Sequence, residues 1–222
     1  MNFISLMEII GTIAFAVSGA LVAIEKKLDY YGIVFFAIIT AVGGGIIRDQ
    51  IIDLPLPMAI ENPVYVLISI GTAAGVILFY KWVTRLQVLV TIFDAIGLAA
   101  FTAIGAEAAV NNHVAAPFVV VTLALLTGTG GGILRDVFAR EIPFVFRKEV
   151  YAVASIAGAA VFLIAELYLN MKLAMYICFG TTLVVRLVSV KCNWHLAKVK
   201  TGAGTDEEDE EKSEREEKRE DD

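Results

Sequence analysis

Apolar residues along this chain run in blocks of about twenty, with neither the period-2 alternation of strands nor the single stripe of a soluble helix. Seven blocks are evident, at about 4–24, 30–52, 63–82, 87–109, 114–135, 149–169 and 172–190. A bilayer core about 30 Å thick is crossed by about 20 apolar residues of helix, so each block predicts a transmembrane helix. Polar punctuation separates them: Glu25 to Asp29, a loop with Pro55 and Pro57, Lys81 to Arg85, Asn111 to His113, Arg140 to Lys148, and Asn170 to Lys172. Hydrophobic residues make up 58% of the 222 residues and mean hydropathy is +0.73, so the pattern predicts an all-α integral membrane protein.

The blocks are not independent. Residues 43–49 read GGGIIRD and residues 130–136 read GGGILRD, identical at six of seven positions. The similarity spreads outward at nearly the same offset: Gly11, Phe15 and Gly19 match Gly97, Phe101 and Gly105, and Glu8 matches Asp94. Pro57, Tyr65 and Ser69 match Pro143, Tyr151 and Ser155. Each unit holds three spans, with the motif closing the second. An odd number of spans forces two copies into opposite orientations, so the sequence predicts inverted three-helix repeats, a common plan of transporters and channels. The expected organisation is a first repeat over 1–85, an inverted second over 86–170, a seventh helix over 171–192, and a basic segment with an acidic tail over 193–222.

Three glycines inside an apolar helix need a reason, since each costs about 1 kcal/mol against Ala in a soluble helix. One reading is close helix packing through small residues. The other is a broken helix whose freed carbonyls face a water-filled path. Duplication at fixed spacing from an Arg-Asp pair favours the path, with helices two and five broken at Gly43, Gly44 and Gly45 and at Gly130, Gly131 and Gly132. Ionisable groups in spans usually face a bundle interior or an aqueous route. Arg48, Asp49, Arg135 and Asp136 are therefore candidate pore-lining residues, or else residues at helix ends that snorkel or pair locally. Glu8 and Asp94 join them as a duplicated pair of acids that would favour cations. Glu107 and Glu166 lie late in spans four and six. Gly71 and Gly75, and Ala154 and Gly158, form small-xxx-small pairs, expected to pack helices within the subunit.

The net charge of −6 comes from residues 206–222, which carry −8; the remainder is +2. The tail has no apolar residue and reads as a solvated extension. Basic residues concentrate in the connections that share a side with the C-terminus, so the positive-inside rule places the N-terminus outside and the C-terminus in the cytoplasm of a cell inner membrane. Cys178 and Cys192 have no metal-ligand spacing. His113 and His195 read as loop and basic-segment residues. No catalytic constellation, resident cofactor or nucleic-acid-binding pattern is present in the sequence.

The paired GGGIIRD and GGGILRD motifs, the 3+3+1 layout and the outside N-terminus resemble the trimeric intracellular cation (TRIC) channel family, over about residues 3–192. Its prokaryotic members also carry a glycine-transporter label. The resemblance implies a homotrimer with a hydrophilic pore in each subunit, glycine triplets kinking helices two and five around it, and permeation by potassium or sodium. Membrane lipid is the other expected partner. Lys148, Glu149 and Val150 spell a lipid-binding element of animal members, but the surrounding sequence does not support transferring that role. Three functions follow: a monovalent-cation channel; a secondary transporter of glycine or another small amino acid, which uses the same broken-helix elements; and an assembly protein recruiting through its tail, which leaves the repeat unexplained.

Overall fold

The computed structural model describes residues 3–82, 86–147 and 150–192. The acidic tail, His195 and the Lys148–Glu149 pair lie outside them. The regular structure of the described residues is helical: α1 (Phe3–Glu25), α2 (Tyr30–Ile51), α3 (Met58–Glu61), α4 (Val64–Phe79), α5 (Leu86–Asn111), α6 (Pro117–Phe138), α7 (Phe144–Arg147), α8 (Val150–Tyr168) and α9 (Met171–Lys191). Six helices are long and apolar enough to cross a membrane. The expected third span is the shorter α4, 16 residues, followed by a 3₁₀ turn over Tyr80–Trp82.

Local chemistry explains the boundaries. Asp29 accepts the Gly32 N–H at 2.8 Å to start α2, and Asn170 accepts the Leu173 N–H at 2.9 Å to start α9. Pro117 opens α6, where a missing N–H costs nothing. The ends of α1, α2, α5 and α6 turn through Lys27, Asp53, His113 and Arg140, at φ of 58, 57, 60 and 56°. These left-handed caps let Leu28, Leu54, Val114 and Glu141 donate back to the carbonyls of Ala23, Asp49, Ala109 and Asp136. Lys27 pairs with His113, and Asp53 with Arg140, at the offset of the repeat, so the duplication reaches into the caps.

The two units also touch reciprocally. Helix α1 packs on α5 and α2 on α6, while α9 packs on α8 and α5. Gln87, at the start of α5, donates to Glu25 at the end of α1 (3.1 Å). Phe35, early in α2, meets Phe138 at the end of α6 edge-on, with centroids 5.3 Å apart. Both pairs of helices therefore run antiparallel. At the centre the matched residues Phe15 and Phe101 stack on each other, 5.4 Å apart and 11° from parallel.

Neither glycine triplet breaks its helix. α2 is α-helical from Tyr30 to Ile51 and α6 from Pro117 to Phe138, and no described glycine has positive φ. The glycines serve close approach instead. A Cβ on Gly44 would run into the Thr127 carbonyl, and one on Gly131 into the Thr40 carbonyl. Gly43 faces the Leu134 side chain and Gly130 faces Ile47. An intact backbone ladder leaves nothing unpaired at membrane depth, and the missing side chains let α2 and α6 cross almost backbone to backbone. Elsewhere, Gly158 packs against Thr182 and Cys178 of α9, as expected of a small-residue pair. Gly71 and Gly75 do not pack within the subunit: a Cβ on either meets nothing within 4 Å.

Candidate functional site

The six charged residues singled out in the sequence fall into two clusters, one at each end of the antiparallel bundle. In the first, Arg48 near the end of α2 turns back onto its neighbour: Nε donates to Asp49 Oδ1 at 2.7 Å, and Nη2 stands 2.6 Å from the same oxygen. Asp49 Oδ2 accepts the Met58 N–H at 2.8 Å, at the start of α3. Glu8 of α1 accepts a hydrogen bond from the Tyr65 hydroxyl of α4. In the second, Arg135 Nε donates to Asp136 Oδ1 at 2.8 Å, and Asp136 Oδ2 accepts the Phe144 N–H at 2.8 Å. Pro57 and Pro143, matched in the repeat, precede the short helices α3 and α7 that bear on these carboxylates.

Arg48, at 5% exposure, and Arg135, at 0%, are both held inside the protein, each paired with the next residue, Asp49 or Asp136, near the end of its helix. A buried guanidinium needs fixed counter-charge and good geometry, which each Arg-Asp-amide unit supplies. The third glycine of each triplet makes room for it. Beside Gly45 the nearest atom to a Cβ would be Arg48 Nη2, at 3.9 Å. Beside Gly132 it would be the Tyr151 hydroxyl at 2.9 Å, then Asp94 Oδ1 at 3.3 Å and Arg135 Nη2 at 3.8 Å.

The clusters differ in what surrounds them. The first opens to a cleft of about 900 Å³ whose walls include Glu8, Arg48, Asp49, Tyr65, Glu107 and Asn111. A smaller pocket of about 350 Å³ continues from five of the same residues to Gly45 and Phe101. Glu107 accepts from the Asn111 side-chain amide at its rim. At the opposite end, a cleft of about 740 Å³ is lined by Glu25, Gln87, Asp136, Glu141 and Phe144. Lys26 reaches across to Glu141 there (2.5 Å). Glu8 and Glu25 mark the two clefts on α1, about 25 Å apart at 1.5 Å per residue.

Between the clefts lie the Gly44–Gly131 crossing, the Phe15–Phe101 stack and the inner part of the second cluster, whose Asp136 lines the cleft at its own end. Arg135 Nη1 donates to Asp94 Oδ1 at 2.8 Å and to Ser18 Oγ at 2.5 Å, joining α1, α5 and α6. Asp94, like Arg135, is 0% exposed. The Arg135 guanidinium also lies 4.8 Å from the centre of the Phe144 ring.

Sequence reasoning missed Arg186. It sits in α9, 1% exposed, with its guanidinium 4.7 Å over the Tyr151 ring. The signal was present as an arginine inside the apolar run 172–190, but α9 has no partner in the repeat to draw attention to it. Tyr65 and Tyr151 were visible as a matched pair, without a role. Ser18 matches the apolar Ile104, so its part in holding Arg135 could not be read from the duplication.

The family model described as Glycine transporter matches this chain twice, over residues 5–81 and 91–166. UPF0126 inner membrane protein YadS of Escherichia coli (strain K12) is 37% identical over 193 residues, covering 86% of this chain and 92% of the relative. UPF0126 membrane protein YvgT of Bacillus subtilis (strain 168) is 38% identical over 192 residues, covering 86% and 94%. Among solved structures, a prokaryotic TRIC channel crystallised in 0.5 M KCl is similar at a TM-score of 0.82 and 35% identity, covering 87% of this chain and 98% of that one. A TRIC trimeric intracellular cation channel orthologue from Rhodobacter sphaeroides gives a TM-score of 0.83 at 32% identity, covering 87% and 100%. A duplicated match, relatives similar over nearly their whole length and solved channels of the same fold converge on one conclusion: this chain is a multi-pass membrane protein of the TRIC channel family.

Proposed function

We propose that this protein is a cation channel permeable to potassium, with a pore inside each subunit of a homotrimer. The pore runs between two inverted three-helix units, and the N-terminus is outside the cell inner membrane. The first-cluster cleft then faces outward and the second faces the cytoplasm, in line with the basic connections on that side. The observation that carries the reading is the pair of carboxylate-lined clefts entering the bundle from opposite ends: Glu8, Asp49 and Glu107 in one, Glu25, Asp136 and Glu141 in the other. Rings of acid concentrate cations at a pore mouth. The Arg135–Asp94 contact lies between the clefts and belongs to a shut conformation. Similarity to solved TRIC cation channels supports the same assignment.

The test is a paired assay on one preparation of the full chain. In planar bilayers it gives single-channel potassium currents, and in proteoliposomes it gives no saturable glycine counterflow. Electrical silence where a control channel conducts, or gradient-driven glycine uptake without current, overturns the assignment.

A further inference from the structure

The two units are copies, yet they hold their tyrosine and acid differently. In the first unit the Tyr65 hydroxyl donates to Glu8, and Arg48 bonds Asp49 and the Met58 sulfur among the described residues. In the second, Arg135 occupies Asp94, and the Tyr151 hydroxyl and Asp94 Oδ2 have no hydrogen-bond partner among the described residues. The hydroxyl is nonetheless close to the acid: both stand within 3.3 Å of the point where a Gly132 Cβ would be.

One neighbour exists only on the second side. Helix α9 lies outside the repeat, and it lays Arg186 over the Tyr151 ring. Arg186 Nε and Nη2 have no hydrogen-bond partner among the described residues. Keeping a cation in a membrane interior over an aromatic face, with the Asp94 carboxylate as a counter-charge acting on it, is costly and points to function. A cation held over a ring fixes the plane of that ring, and with it the plane in which the phenolic O–H points.

We infer that Arg186 is a positioning residue that withholds the Tyr151 hydroxyl from Asp94, leaving Arg135 as Asp94's partner, and that the first unit displays the arrangement the second adopts when Arg186 lets go. In that arrangement Tyr151 donates to Asp94 as Tyr65 does to Glu8. Arg135 retreats to Asp136 as Arg48 rests on Asp49, and the contact joining α1, α5 and α6 is undone. α9, the helix outside the repeat, thus biases the conformation of the second unit. This inference rests on the channel reading for its effect on flux, but not for its effect on geometry.

Two other differences between the clusters compete as the cause: Arg135 is met by Ser18, whose match in the repeat is the apolar Ile104, and Asp94 is one methylene shorter than Glu8. The experiment determines structures of the full-length Arg186→Met, Arg186→Lys, Ser18→Ala and Asp94→Glu variants and measures potassium flux from proteoliposomes. Arg186→Gln replaces Arg186→Met if that protein cannot be isolated. The expected result is a Tyr151–Asp94 hydrogen bond and a parted Arg135–Asp94 pair in Arg186→Met alone. Arg186→Lys, which keeps a cation over the ring, retains the wild-type geometry. Flux rises about fivefold or more in Arg186→Met and returns to wild type when Tyr151→Phe is added. An unmoved Tyr151 in Arg186→Met overturns the inference, as does the same rearrangement in Ser18→Ala or Asp94→Glu with Arg186 intact. A rearranged Tyr151 with no flux from any variant upholds the inference and removes the channel reading instead.

Discussion

Two residues that look interchangeable in the sequence, Gly45 and Gly132, have different surroundings. A methyl group on Gly45 meets only the far end of a flexible arginine at 3.9 Å, whereas on Gly132 it stands 2.9 Å from the Tyr151 hydroxyl and 3.3 Å from Asp94. Gly45→Ala is expected to leave thermal stability in detergent within about 0.5 kcal/mol of wild type, as ordinary surface-like substitutions do. Gly132→Ala is expected to lower it by about 1–3 kcal/mol, the usual cost of overpacking. Equal effects in thermal unfolding would mean that the two third glycines are equivalent after all. The charges themselves were legible, because an arginine followed by an aspartate inside an apolar block has few other uses. Their partners were not. Arg135 meets Asp94 and Ser18 where Arg48 bonds Asp49 and Met58, and the units differ there at Ser18, at a methylene and at α9, differences that the repeat pattern averages over.

At the scale of helices, the triplets work as a crossing point. Gly44→Ala or Gly131→Ala drives a Cβ into a backbone carbonyl of the opposite helix, and backbone cannot swing aside as a side chain can. Either is expected to cost about 3 kcal/mol or more, at the diagnostic end of single substitutions, and to appear as lost expression or a sharply lowered melting temperature. The left-handed caps give the opposite sign. His113 holds φ 60° in a conformation that costs an L-residue about 1–2 kcal/mol, so His113→Gly is expected to raise the melting temperature by a few degrees in the same assay. The order of the long helices could be read from apolar length, while the shortness of α4 and the brief helices α3 and α7 could not. Helix continuity through the triplets could not, because composition is the same for a broken helix and a closely packed one. What decides is the position of Thr40 and Thr127 on the facing helix, a tertiary fact.

For the whole molecule, the lipid-facing surface carries the remaining information about assembly. Gly71 and Gly75 leave a shallow, unfilled strip on α4, flanked by exposed Leu67 and Leu78. If copies of the chain pack there, Gly71→Leu with Gly75→Leu leaves the subunit folded and lowers the oligomer mass measured by light scattering in detergent toward that of the monomer; an unchanged mass places the interface elsewhere. The contacts across the middle carry a separate consequence. Gly44 meets Thr127 while Gly131 meets Thr40, and Gly11 meets Phe101 while Gly97 meets Phe15. Contacts that trade partners in this way have the form of an isologous interface, the kind made by two identical chains. In these contacts the middle of this protein is arranged as an antiparallel dimer would be, with both halves in one polypeptide. In such a dimer every substitution would take effect twice. Once joined, each half can change alone, and Ser18, Asp94 and the added α9 mark where the two have parted.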